Sequence, residues 1–159
     1  MRYLLSVLLL VQSVSLFGQY HIKKVWLFSQ LRSPGMVPRK QPGWQPAGPT
    51  TIYLCFIEVA KDERTADWQT ASIKGNKYSV AMVPVQEDSV FVGTEKTTKA
   101  LICLKPSAGN KLVKLELLLK DQTVGVGDTA AFLEGVAHKK RVVFKYDQPI
   151  VQLAPVLMP

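Results

Sequence analysis

The residue types that most often carry out chemistry are few in this chain and widely spaced. There are two histidines, His21 and His138, and two cysteines, Cys55 and Cys103. No Ser or Cys nucleophile lies beside either histidine in the sequence, so no Ser–His or Cys–His pair can be read from it. A metal centre would need all four residues at once, with no closely spaced ligand pair to begin it. Carboxylates gather at Asp62-Glu63-Asp67 and Glu87-Asp88. These fall in turn-like segments, where Asp is common because it bonds its own backbone. The segment 121–128 lacks the dense oxygen spacing of a calcium loop, and the Gly125-x-Gly127 within it is not followed by the Lys-Ser/Thr of a phosphate loop. No catalytic residue, metal or cofactor is assigned. An enzyme with no readable motif, or an enzyme inhibitor, stands as an alternative to a binding protein.

One segment places binding chemistry together. Residues 33–49 contain Pro34, Pro38, Pro42, Pro46 and Pro49, with Gly35, Gly43 and Gly48 between them. Proline lacks the backbone donor that helices and ladders need, so the segment reads as a long loop of partly polyproline character. It carries Trp44 with Arg39 and Lys40 just upstream: an aromatic and two cations that could meet a sugar ring or a protein groove. A second basic run, Lys139-Lys140-Arg141, is the densest in the chain. The alternative for Trp44 is a plug at one end of the core.

The elements that must position these residues are mostly strands. Residues 50–59 form a continuous apolar, β-favouring run, the pattern of a central strand buried on both faces. Gly75-Asn76 between two strand-like runs marks a tight hairpin. Residues 112–120 alternate Val113, Leu115, Leu117 and Leu119 with mostly charged neighbours, and read as strand although Leu and Lys favour helix. Residues 129–136 are the one helix candidate, with Asp128 as cap and Phe132 and Val136 on one face; strand is the alternative there. Pro149 and Pro155 leave 150–158 as an edge strand. Short strands separated by turn signals imply an all-β fold, a single sandwich of about seven to nine strands.

The first 18 residues have the three-part order of a secretory signal: Met1-Arg2, the apolar run from Leu4, then small residues ending at Ser15 or Gly18. The apolar run is shorter than the roughly 20 residues that span a bilayer, and no later segment is apolar enough to be a membrane helix. The expected compartment is therefore extracellular, periplasmic or cell-envelope. The remaining 19–159 match one ordinary domain. Lys and Arg number 20 against 12 Asp and Glu. That balance favours anionic partners, but the scatter of the lysines gives no specific nucleic-acid signature.

Export makes a disulfide between Cys55 and Cys103 chemically available. Both lie in apolar, β-branched runs, and either a bridge or two separate thiols fits them. Cys55, then Trp68 thirteen residues on, then Cys103 resembles the Cys–Trp–Cys order of immunoglobulin-like sandwiches. Leu101 stands where that family has its corner tyrosine, and the resemblance spans only about residues 50–120. It implies architecture and no function. The expectation at this point is a non-enzymatic binding or assembly module of the envelope or extracellular space. Its partner would be a protein or an anionic polysaccharide of the surface. A small β-barrel holding an apolar ligand is a further alternative.

Overall fold

A computed structural model describes residues 20–34, 48–85, 88–121 and 130–158. The signal segment and most of the proline-rich segment, with Trp44, Arg39 and Lys40, lie outside the described residues. Among the described residues all ten elements are strands: β1 (Ile22–Pro34), β2 (Thr50–Ala60), β3 (Asp67–Ile73), β4 (Asn76–Val83), β5 (Val90–Thr94), β6 (Leu101–Leu104), β7 (Asn110–Asp121), β8 (Ala131–Ala137), β9 (Lys140–Tyr146) and β10 (Val151–Met158). Eight form one sheet in the order β10-β1-β2-β7-β4-β3-β8-β9, and β5-β6 form a separate hairpin. The β1–β10 pair is parallel and the others are antiparallel. The fold is all-β and sandwich-like.

The large sheet curls. Leu27 on β1 and Tyr146 on β9 are separated by five intervening strands, yet they line one enclosed apolar space. Bulges help produce the curl, because an extra residue bends a strand and increases its twist. Register shifts occur between Ile22 and Lys24, between Trp68 and Thr70, and between Lys77 and Tyr78. Inside the curl sit Cys55, Ile57, Val59, Trp68, Ile73, Leu115 and Leu117. Among the described residues, the enclosed space that these side chains line is about 10 Å³, room for no more than about one water.

On the outer side of β1, β2 and β10, the β5–β6 hairpin covers a second cluster. Phe28, Leu54, Phe56, Leu104, Leu112 and Leu153 are its buried members. This explains the unbroken apolar run of β2, whose residues 54–59 are all buried. Odd-numbered Cys55, Ile57 and Val59 face the interior of the curl, while Leu54 and Phe56 face the hairpin.

That alternation also settles the cysteines. Cys55 belongs to the interior cluster and is fully buried, whereas Leu104 and Ile102 are the β6 residues that pack toward β2. Cys103, between them, points outward and is exposed; both thiols are free. Cys55 and Cys103 therefore face away from each other, and the bridge suggested by the immunoglobulin-like spacing does not form.

The helix candidate over 129–136 is corrected: its described residues from Ala131 on lie in strand β8, the alternative reading, and the ten strands exceed the seven to nine expected. Ala131, Leu133, Gly135 and Ala137 are buried, and the residues between them are less so. This period of two buries Leu133 and three small residues, which the helical pairing of Phe132 with Val136 did not anticipate. The β3–β4 turn is also displaced by one position. Ile73 pairs with Asn76, leaving Lys74-Gly75 as the two-residue loop, with φ of 51° and 81°. Positive φ at both loop residues is the geometry of a type I′ turn.

Candidate functional site

The two ends of the curled sheet carry the polar surface features. At one end, the turn between β8 and β9 is closed by the Ala137–Lys140 pair. Its loop residues are His138 and Lys139, with φ of 51° and 63°. Two consecutive non-glycine residues in the left-handed region are uncommon and costly. His138 Nε2 meets Glu63 Oε1 at 3.1 Å. Glu63 belongs to the β2–β3 loop, and Lys111 on β7 clamps that loop by donating from Nζ to the carbonyls of Lys61 and Glu63 at 3.1 and 2.6 Å. Between turn and loop is a cleft of about 510 Å³ lined by Arg64, Thr65, Asp67, Val136, Ala137, His138 and Lys139. Its lining combines the Thr65 hydroxyl and the Asp67 carboxylate with the basic side chains of Arg64 and Lys139 and the His138 imidazole.

Of the basic residues singled out in the sequence, Lys139 lines this cleft and Lys140 is exposed at the start of β9. Arg141 is held by Glu134 of β8 at 2.8 Å. The structure brings Arg64 to Lys139 and His138, a grouping the sequence could not show across more than 70 positions. Among the described residues, no group of three or more His, Cys, Asp or Glu could hold a metal ion.

Below this turn, β9 is one free edge of the sheet and β10 is the other. They are treated differently. The loop after β5 covers β10: the Lys96 amide donates to the Gln152 carbonyl at 2.9 Å, and Glu95 bridges to Leu153. On β9 no such cover occurs among the described residues. Because Ala137–Lys140 closes a two-residue turn, Lys140, Val142, Phe144 and Tyr146 exchange hydrogen bonds with β8. The backbone groups of Arg141, Val143 and Lys145 point away from the sheet. These three residues are exposed, while Val142 and Phe144 pack against the interior cluster.

The opposite end of the curl forms a second cleft of about 270 Å³. Ser29 and Leu31 of β1, Thr51 and Tyr53 of β2, Gln152 and Pro155 of β10, and Lys74 of the β3–β4 turn line it with Lys96. The Tyr53 ring is held edge-on to Tyr78 at 5.3 Å between centroids. Lys96 follows Glu95, whose carboxylate turns back into its own loop. It accepts from the Thr97 and Thr98 amides at 3.0 and 2.5 Å and from the Thr98 hydroxyl. The Thr98 hydroxyl and these amides lower the Glu95 pKa to about 2.

Comparisons with protein-family models, with curated proteins and with solved structures found no match.

Proposed function

We propose that this chain is an exported, non-enzymatic binding or assembly module of the cell envelope or extracellular space. It takes an extended strand of a partner protein on the open edge of β9. The observation that carries this reading is the contrast between the two sheet edges. A long edge with outward backbone donors and acceptors is a template for strand addition, and among the described residues β10 is covered where β9 is not. The secretory leader read from residues 1–18 supports the compartment.

Charge favours a foreign strand over a second copy. Two β9 strands pairing antiparallel about Val143 would set Arg141 of each copy opposite Lys145 of the other. Like charges directly opposite are destabilising. A strand with acidic residues at these positions and an apolar residue against Val143 meets the edge with complementary charge.

A synthetic peptide containing Glu-Val-Val-Val-Glu, titrated against the full chain, tests the reading. It should bind more tightly than its Lys-Val-Val-Val-Lys counterpart. Val143→Pro should weaken it at least about tenfold, equivalent to 1.4 kcal/mol. Proline at this position removes an outward N–H and no bond to β8, so the sheet should survive. Equal binding of both peptides, or an unchanged affinity in a folded Val143→Pro variant, would overturn the proposal.

A further inference from the structure

We infer that the smaller cleft, at the end of the curl away from the β8–β9 turn, is a binding site for a carboxylated sugar. The argument is independent of strand addition at β9, since the two sites lie at opposite ends of the sheet.

The lining is chemically one-sided. It contains two lysines, Lys74 and Lys96, and no Asp or Glu. Neither lysine has an ion-pair partner among the described residues. The carboxylate adjacent to Lys96 in sequence, Glu95, is occupied by the amides and hydroxyl of its own loop. Two ammonium groups left without a counter-charge at one concave site attract an anion.

The two lysines are placed by the fold. Lys74 stands in a two-residue turn at φ 51°, which fixes where its side chain departs from the backbone. Lys96 is anchored by its own amide on Gln152. They approach the cleft from separate elements, the β3–β4 turn and the loop that covers β10.

The remainder of the lining fits a polyol better than a bare anion. Ser29, Thr51 and Tyr53 offer hydroxyls, and Gln152 offers an amide. Each can both donate and accept, as sugar hydroxyls require. Tyr53 adds a half-buried aromatic ring whose orientation is held by Tyr78, and Leu31 and Pro155 supply apolar contact. At about 270 Å³ the cleft falls just below the roughly 300–1,000 Å³ of typical ligand pockets, which suits a single sugar ring.

Calorimetric titration of the full chain with galacturonate, its trimer and the matched neutral galactose trimer tests the inference. The acidic trimer should bind, and the neutral trimer should bind at least about tenfold more weakly. Lys96→Ala and Lys74→Asn (asparagine tolerates the positive φ) should each weaken the acidic ligand by a similar factor. Lys140→Ala, at the other end, should leave it unchanged. A trimer that outbinds the monomer assigns a polymer unit; equal binding assigns the free sugar acid, and either supports the site. Three results would overturn it: equal affinity for the neutral trimer, full displacement by an equal concentration of inorganic phosphate, or unchanged affinity in both folded lysine variants.

Discussion

Gly135 on β8 lies so close to Asp67 on β3 that a Cβ at this position would stand 2.5 Å from the Asp67 carbonyl oxygen and 2.9 Å from the Trp68 Cα. Both contacts are backbone, which cannot swing aside. The approach occurs where β3 gains a residue between Trp68 and Thr70, so this glycine permits the bulge that turns the sheet toward β9. Gly135→Ala should therefore destabilise the protein by about 1–3 kcal/mol, the usual cost of forcing extra volume into a packed site. Urea denaturation of the variant measures this; a change within about 0.5 kcal/mol, typical of a neutral surface substitution, would mean that the strands separate freely.

Glu58 should make stability depend on pH. Its residue is 4 % exposed, and its Oε1 accepts from the Ser107 amide at 2.9 Å and from Asn110 Nδ2 at 2.6 Å. Burial alone would raise its pKa, but the Asn110 and Ser107 bonds outweigh burial, and the net shift is downward. A carboxylate with a lowered folded-state pKa stabilises above its unfolded value and loses that contribution as pH falls through the folded one. Stability should thus decline from about pH 4.5 downward, and Glu58→Gln should flatten part of that decline. The glutamine retains an acceptor oxygen for both donors. Glu58→Ala leaves both without a partner and should cost more at neutral pH, about 1–3 kcal/mol for each donor left unsatisfied. Denaturation midpoints of the three proteins at pH 3 and pH 7 check the order.

The cysteines should differ sharply in reactivity. Burial drives the Cys55 thiol above its ordinary pKa range, and attack requires the thiolate. Cys103 is exposed on the outer hairpin. A thiol reagent such as Ellman's should modify Cys103 in the native protein and reach Cys55 only after denaturation. No reactive thiol in unreduced, denatured protein would contradict the free cysteines.

Much of the strand content was legible because burial on one or two faces leaves a direct imprint. The two-sided burial of β2 showed as its unbroken apolar run, and the alternation of β7 prevailed over the helical propensity of its leucines. β8 was obscured because three of its four inward positions are the small residues Ala131, Gly135 and Ala137, with only Leu133 large, so the strand shows little alternation in hydrophobicity. The need for Gly135 arises from β3, more than 60 positions away. Lys139 to Arg141 were visible as a charge run, but Arg64, Lys74 and Lys96 were not. They gain meaning only from the curl, which gathers turns that no local pattern connects. The signal of a two-residue hairpin at Lys74-Gly75-Asn76 was present, one position out of register.

The central claim concerns the β9 edge, and residue-resolved amide hydrogen exchange tests it most directly. In the free protein, the amides of Val142 and Phe144, bonded to β8, should exchange slowly, and those of Val143 and Lys145 should exchange rapidly. On saturation with the Glu-Val-Val-Val-Glu peptide, Val143 and Lys145 should become protected while Lys74 and Lys96 keep their free-state rates. Slow exchange at Val143 before any peptide is added, or saturation without new protection there, would contradict strand addition at β9.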